Sequence, residues 1–229
     1  GDFGYDLFRV NIKAEHKGVT LDTEYRLYSN GFGGGMLKQG WFGYKLKNKK
    51  TEFQLGLTQV PFGNQQYNSN NWFFNLPYYL GFEDDHDMGL KMIHKMKNFD
   101  LHVAFFKNAE ELTFGDDSQV SPNRYSYDIS GRNKEVNQGN LKIDYKFGKK
   151  KQSKLSVFGE YGGLYNVAIH EMGDHYAYGV ALDGKWNKFK LKAQVIGFEF
   201  RPNDTIPNTG IIEMAAYGAP YNVASAGFV

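Results

Sequence analysis

Apolar and polar side chains alternate along most of this chain with a period of two residues. In the opening segment Phe8, Val10 and Ile12 are separated by the polar side chains of Arg9 and Asn11. A period of two is typical of β-strands that have one apolar and one polar face. The alternation predicts ten strands and no helix. The predicted strands are 8–15, 19–27, 41–48, 51–59, 88–96, 99–106, 140–147, 154–162, 175–186 and 189–197.

The predicted connections alternate between tight turns and long polar segments. The residues that flank a two-residue hairpin loop face the same side of the sheet, and here they all fall on the apolar face. The two-residue turns are Lys17-Gly18, Lys49-Lys50, Lys97-Asn98 and Asn187-Lys188, and 148–153 needs a loop with an odd number of residues. The long connections are 29–40, 60–87, 107–139 and 163–174. This organisation predicts an all-β, antiparallel up-and-down transmembrane β-barrel, with a soluble β-sandwich as the alternative.

Composition narrows the class further. The 229 residues include no cysteine, so no disulfide, Cys-based zinc site or catalytic thiol is expected. Basic and acidic residues number 27 and 25, a net charge of +2 that is too balanced for binding nucleic acid by bulk charge. The mean hydropathy is −0.56, and no apolar run approaches the roughly 20 residues of a membrane helix. Aromatic residues make up 17% of the chain. Those at strand ends suit two interfacial girdles: Trp41, Phe42, Phe99, Phe105, Tyr176, Trp186 and Phe189.

The residues of the polar face indicate whether that face points into the barrel or out of it. The apolar face points inward in a soluble barrel and outward to lipid in a membrane barrel. No remaining segment is predicted to form helices that would cover the apolar face, so lipid is the expected cover. The basic residues on the polar face are Arg9, Lys13, Arg26, Lys45, Lys47, Lys91, Lys95, Lys142, Lys146, Lys154, Lys185, Lys190 and Lys192, and the acidic ones are Glu15, Asp22, Glu24, Glu52, Asp100, Asp144, Glu160 and Asp183. We predict that these basic residues, apart from Lys47, Lys154 and Lys185, line a pore with a mild preference for anions.

Few residues suggest chemistry. His170 and His175 are five residues apart, whereas the zincin motif needs a spacing of four on a helix. The acidic run 83–87 could hold calcium through oxygen ligands, although a solvated acidic patch is the favoured interpretation. The glycines in 31–35 are interpreted as a flexible connection, because no phosphate-loop Lys-Ser/Thr pair or helix follows them. No serine or histidine has a nucleophile-elbow context, so we predict no catalytic residue, metal or cofactor.

Residues 51–91 carry a family resemblance. Residues 51–63 read TEFQLGLTQVPFG, and residues 78–91 read YYLGFEDDHDMGLK. A strand ending in Val-Pro-Phe-Gly, then a long aromatic loop and Gly-Leu-Lys, resembles the phosphate-selective porin O/P family, especially its Bacteroidetes-type members. The resemblance implies a sixteen-stranded, trimeric outer-membrane barrel of a Gram-negative bacterium, with a long third loop in the lumen and basic residues that attract anions. Because this chain is rich in lysine and poor in arginine, an arginine ladder for phosphate is not carried over.

The predicted function is an outer-membrane porin for passive diffusion of small hydrophilic or anionic solutes. Its expected partners are outer-membrane lipid, these solutes and two further copies in a homotrimer, but no nucleic acid. The alternative is an outer-membrane barrel enzyme, or a surface-binding barrel that acts through its long loops. The chain is predicted to be a single barrel domain over 1–229 that is incomplete at its C-terminus, because 203–229 alternates weakly and ends in Gly-Phe-Val.

The long connection 61–86 is predicted to fold inward and set the narrowest point of the pore. It is too apolar for a solvated surface loop, and the alternative is that it forms a trimer contact. The residues assigned to this constriction loop are Trp72, Phe73, Phe74, Tyr78, Tyr79, Glu83, Asp84 and Asp85. The wall residues expected to receive its aromatic rings are Ile93, Phe106, Phe158, Ile196 and Phe198. The three acidic residues are expected to face Lys91 and Lys95.

Overall fold

The computed structural model describes residues 4, 7–28, 35–64, 76–109, 127–129, 133–203, 212–214, 219–221 and 226–228. An eleven-stranded antiparallel sheet dominates them, and a second sheet has three strands. In their order across the large sheet, its strands are β1 (Leu7–His16), β2 (Val19–Tyr28), β3 (Gly35–Lys45), β4 (Thr51–Gln59), β5 (His86–Lys95), β6 (Phe99–Asn108), β8 (Asn133–Phe147), β9 (Ser153–Asn166), β10 (Glu171–Trp186), β11 (Phe189–Arg201) and β14 (Ala226–Phe228). In the small sheet the order is β13 (Ala219–Tyr221), β12 (Ile212–Met214) and β7 (Tyr127–Ile129). A four-residue helix, α1 (Leu76–Tyr79), and a 3-10 turn at Lys149–Lys151 complete the described elements.

All ten predicted strands are present and are paired in chain order, so the predicted up-and-down antiparallel architecture is confirmed. Four further strands were not predicted, because a three-residue strand is too short to show a period of two. Among the described residues, β1 pairs with β2 and β14 pairs with β11, and the sheet is open between these two edges. No helix in the described part of the chain is long and apolar enough to cross a membrane.

Three of the four predicted two-residue turns have the predicted register. His16 pairs with Val19, and Trp186 pairs with Phe189. The Met96 amide donates to the Phe99 carbonyl at 2.7 Å, which closes the third turn. In the first turn both central residues have positive φ, at 50° and 90°, as the hairpin turns that match strand twist require.

The remaining two tight turns keep the predicted parity. The β3–β4 turn is longer than predicted, because the Leu46 amide donates to the Thr51 carbonyl at 2.9 Å and leaves 47–50 as the loop. A change of two residues does not alter which faces the strands next to the turn present, because the period of a strand is two. Phe147 pairs with Ser153, so that the loop 148–152 has the odd length that was expected.

Several predicted connections are partly or wholly strand. Residues 35–40 begin β3 instead of lying in a connection, and 133–139 extend β8. The predicted connection 163–174 is wrong: β9 and β10 continue into it, and a four-residue turn at 167–170 joins them. Strands that project beyond the lipid have no apolar face to maintain, so they lose the alternation on which the predictions depended.

The apolar face of the large sheet is exposed and the charged face is covered. Phe189, Phe42 and Leu55 are 79%, 68% and 64% exposed, whereas Arg26 and Lys142 are 2% and 0% exposed. This distribution is the reverse of a soluble barrel and is the one expected of a membrane barrel. Leu57 is an exception, because it was predicted on the outer face but is 1% exposed.

Aromatic side chains mark both ends of the outer face. Tyr176 and Trp186 share this face on β10 and are ten residues apart. At about 3.3 Å per residue and a tilt of about 40°, they span about 25 Å of membrane thickness, the height of the apolar band of membrane barrels. Trp41 does not belong to a girdle, because it lies next to Phe42 on β3 and therefore faces the opposite side.

Candidate pore interior

Polar side chains on the inner face converge on Asp144, which lies near the tight-turn end of β8. Ser156 on β9 donates to Asp144 Oδ1 at 2.6 Å. Lys154 Nζ lies 3.5 Å from Asp144 Oδ2, and His102 Nε2 on β6 lies 3.4 Å from the same oxygen. Lys142 Nζ is 3.7 Å from Asp144 Oδ1. These contacts make the inner face of β6, β8 and β9 a connected charge network.

The chain between β4 and β5 lies on this inner face. We call its described parts, 60–64 and 76–85, the inner loop. Lys142 Nζ donates to the Gly63 carbonyl at 2.6 Å, and the Asn64 amide donates to Gln194 Oε1 at 2.9 Å. The Val60 amide donates to the Asp85 carbonyl at 2.9 Å and joins the two limbs of the loop. The loop is therefore held by β8, by β11 and by its own base.

Aromatic rings attach the inner loop to the wall. The Phe62 ring centroid is 4.5 Å from that of Phe158 and 5.1 Å from that of Phe82. Phe82 in turn lies 5.7 Å from Phe198 and 6.0 Å from Phe200. Centroid distances of this size are typical of favourable aromatic pairs. The loop thus buries Phe62 and Phe82 against the barrel wall.

Four of the five expected wall residues belong to this cluster, namely Phe106, Phe158, Ile196 and Phe198, whereas Ile93 is only half-buried. Tyr78 from α1 is completely buried in the cluster. Trp72, Phe73 and Phe74 lie outside the described residues, as does the side chain of Tyr79. The packing of Phe62 and Phe82 does not by itself assign a pore constriction, which stays a prediction.

The acidic end of the inner loop meets Lys38. Lys38 Nζ lies 3.3 Å from Asp84 Oδ1 and donates to the Asp84 carbonyl at 2.8 Å. It also lies 2.8 Å from His86 Nδ1, which is itself 2.9 Å from the Asp84 carbonyl oxygen. All three of these side chains are buried.

The expected pairing of the acidic residues with Lys91 and Lys95 is wrong for Asp84. Lys91 Nζ donates to the Gln59 carbonyl at 2.8 Å, and Lys95 is exposed near the turn end of β5. Lys38 was missed because its strand was predicted to start at residue 41. The β2–β3 register shifts next to Tyr25, and this irregularity leaves both Lys38 and Gln39 buried.

The ten predicted pore-lining residues occupy three environments. Arg26, Lys91 and Lys142 are buried, Lys45 and Lys146 are half-buried, and Arg9, Lys13, Lys95, Lys190 and Lys192 are exposed. Arg9 and Lys13 are exposed because β1 is an edge of the open sheet. A pore-lining role for all ten stays a prediction.

Several of these cations have carboxylate partners. Lys146 lies 2.8 Å from Asp100, Lys13 lies 3.0 Å from Asp22, and Lys45 lies 2.5 Å from Glu15. In the buried pair Arg26 Nε lies 2.6 Å from Glu24 Oε1. Paired charges produce a weaker field in the lumen than the same cations alone would produce.

The two histidines of the sequence motif have different surroundings in the structure. His170 lies in the β9–β10 turn, with its Nδ1 2.9 Å from the Tyr165 hydroxyl. His175 is buried, with its Nε2 3.8 Å from Glu135 Oε1. Within the described ranges, no group of three or more His, Asp or Glu side chains could hold a metal ion. The acidic residues of 83–87 are therefore among those that form no such group.

Sequence reasoning missed the polar partners contributed by other strands. His102, Ser156 and Glu135 were not assigned, although His102 and Ser156 fall on the predicted polar parity of β6 and β9. That parity was the available signal. A neutral polar residue on an inner face gives no further indication of its partner, because the partner lies on another strand.

The structural comparison with one outer membrane channel agrees with this geometry. The outer membrane channel DcaP of Acinetobacter baumannii matches 84% of this chain with a TM-score of 0.54 and 11% identity. The chain has the fold of an outer-membrane β-barrel. The match covers 51% of DcaP, so the chain spans about half the length of that protein. The trimer form of OmpT, an outer membrane protein of Vibrio cholerae, was also matched, with a TM-score of 0.30 and 12% identity. This match covers 96% of the present chain and 88% of the OmpT chain. No family profile and no curated protein sequence matches the chain.

The outer-membrane barrel fold explains the exposed apolar face. In this fold the outward side chains contact lipid, and the inward side chains form the polar interior. The fold also agrees with the bacterial outer membrane, the location expected from the sequence.

Proposed function

We propose that this protein is a diffusion channel of the bacterial outer membrane, through which small hydrophilic solutes pass with a mild preference for anions. The supporting observation is the inverted polarity of the sheet: apolar side chains point outward, and a charge network centred on Asp144 lies on the inner face. A polar interior inside a lipid-facing wall is the arrangement that water-filled channels need.

The preference for anions rests on the basic excess of the inner face. Lys142 and Lys154 both approach the single carboxylate of Asp144, which leaves a local positive charge at the wall. Fields of this kind concentrate counter-ions, but mobile salt screens exposed charges within about 8 Å at physiological ionic strength. The preference is therefore mild. Membership of the phosphate-selective porin O/P family and assembly as a trimer are parts of the proposal that rest on the sequence resemblance.

The channel acts without catalysis. A Ser-His-Asp relay needs the histidine between the serine and the carboxylate. Here Asp144 lies between Ser156 and His102, so the histidine is not placed to accept the serine proton. The arrangement is suited to holding charges in position rather than to activating a nucleophile.

Planar-bilayer recording tests the proposal. Insertion of the purified protein is expected to produce stable, ohmic conductance steps. In a salt gradient, the sign of the reversal potential is expected to show that anions are more permeant than cations. Absence of steps from correctly folded protein would refute the channel. Clear cation preference would refute the selectivity alone.

The role of the inner loop is tested by deleting residues 68–82. If the loop narrows the pore, the deletion raises single-channel conductance. Unchanged conductance with loss of trimers would instead favour a subunit contact.

A further inference from the structure

The side chains on the outer face of β9, β10 and β11 change from apolar to charged toward the end of these strands that lies away from the tight turns. The cross-strand pairs define rows of three side chains, one from each strand. An apolar row is followed by a row in which Tyr178 stands between two glycines, then by a tyrosine-rich row and a charged row. From the membrane centre outward the rows are Val157–Val180–Val195, Gly159–Tyr178–Gly197, Tyr161–Tyr176–Glu199 and Gly163–Asp174–Arg201.

Gly197, which has no side chain, leaves an apolar groove beside Tyr178. The groove has a volume of about 280 Å³, and Val157, Val180, Val195 and Gly197 contribute to its lining. The three valines are 48–57% exposed on the lipid-facing side. The groove is therefore continuous with the surface that contacts acyl chains.

A second cavity, of about 510 Å³, lies toward the rim of the same strands. Its lining includes Tyr161, Asp174, Arg201 and Asn203. Arg201 donates to both oxygens of Asp174 at 2.6 and 3.0 Å, and its guanidinium lies 5.2 Å from the Tyr176 ring centroid. These contacts fix the guanidinium in place and use only two of its five N–H groups.

Two carboxylates near this cavity share one cation. Arg201 donates to both oxygens of Asp174 and also attracts Glu199, whose Oε2 accepts a hydrogen bond from the neutral Tyr176 hydroxyl at 2.5 Å. The charged rim therefore offers guanidinium donors and, with two carboxylates to one guanidinium, carries one net negative charge.

We propose that the outer face of β9–β11 binds one lipid whose headgroup carries phosphoethanolamine. One acyl chain lies in the groove beside Tyr178, the phosphate accepts hydrogen bonds from Arg201, and the ammonium group donates to Glu199. Charge complementarity selects this headgroup, because arginine recognises phosphate through paired N–H groups and a carboxylate needs a donor. An anionic headgroup would place a second negative charge beside Glu199, and a trimethylated amine could not donate a hydrogen bond to it.

Native mass spectrometry of the purified barrel in detergent tests the site. The protein is equilibrated with equal amounts of dioleoylphosphatidylethanolamine, dioleoylphosphatidylcholine and dioleoylphosphatidylglycerol, and the retained lipid is then identified. The ethanolamine lipid is expected to be retained best by the unmodified protein. Glu199→Gln is expected to weaken its retention about tenfold, the effect of removing one charge-assisted hydrogen bond.

Three further variants separate the parts of the site. Arg201→Met is expected to weaken retention of all three phospholipids, and Gly197→Leu to do the same by filling the groove. Glu171→Gln removes an exposed carboxylate on β10 that lines neither cavity, so it is the matched control and is expected to leave retention unchanged.

Equal retention of the three lipids by the unmodified protein would overturn the proposal, as would wild-type retention by Glu199→Gln. Gly197→Leu gives an independent result if the charged variants fail to fold. Wild-type retention by that variant would also overturn the proposal. Conductance is not needed for any of these measurements, so their outcome is separate from that of the proposed channel.

Discussion

Removal of the Phe62 ring is expected to release the inner loop from the barrel wall. Phe62 is 3% exposed and lies against Phe158 on the wall and Phe82 within the loop. Replacing a buried phenylalanine by alanine costs about 3–5 kcal/mol, of which each aromatic pair supplies about 0.5–1.5 kcal/mol. Because tenfold in an equilibrium corresponds to about 1.4 kcal/mol, Phe62→Ala should lower the docked-to-released ratio of the loop at least about a hundredfold.

A nitroxide label reports this release directly. The chain has no cysteine, so a cysteine introduced at Leu76, which is 58% exposed in α1, is a unique attachment site. The label is expected to be more mobile in Phe62→Ala than in the unmodified background. In planar bilayers the same variant should show larger and noisier conductance.

The matched control is Phe105→Ala. Phe105 is 51% exposed on the lipid face of β6, next to the buried Phe106, so its removal leaves the loop packing intact. This control should resemble the parent in label mobility and conductance. Equal label mobility in the parent and Phe62→Ala would refute the proposed packing, whereas a mobile label with unchanged conductance would refute only the role of the loop as a constriction.

Three further predictions concern the charges and the sheet edge. Lys38→Met removes the cation 3.3 Å from buried Asp84 and should destabilise the barrel by about 3–5 kcal/mol, while Lys13→Met at the exposed pair should cost about 1 kcal/mol or less, both measured by urea unfolding. Equal urea unfolding midpoints for these two variants would contradict the burial of the pair of Lys38 and Asp84. Lys142→Gln should reduce the anion-to-cation permeability ratio in reversal-potential recordings, and an unchanged ratio would remove this lysine from the selectivity mechanism. The amides of β1 that point away from β2 should exchange slowly with deuterium in the membrane-inserted protein, because an unpaired edge is costly in lipid. Fast exchange there would show that the edge stays open.

The sequence alone determined the features that depend on neighbours along the chain. A period of two identified ten strands and assigned Phe42, Leu55 and Phe189 to the outer face, because successive side chains of a strand point to opposite sides. Turn parity then determined which strands form hairpins, as the pairing of His16 with Val19 illustrates.

Local patterns became unreliable where the strands no longer need an apolar face. The upper part of β9 contains Gly162 and Gly163, and β10 begins with polar residues, so this hairpin was interpreted as a long connection. The β2–β3 irregularity is similar. Leu37 and Phe42 are both exposed and apolar but are five positions apart, and this odd spacing is a parity break that indicates a bulge.

Only the tertiary structure decided which polar groups meet inside the barrel. Lys38 reaches Asp84 from 46 residues away, and His102 and Ser156 meet Asp144 from two different strands. The sequence showed that 61–86 is too apolar to remain in water and that the inner wall has apolar places to receive it. It could not identify the partner of each ring or charge, because the partners depend on how strand pairing and bulges bring together residues that are distant in the sequence.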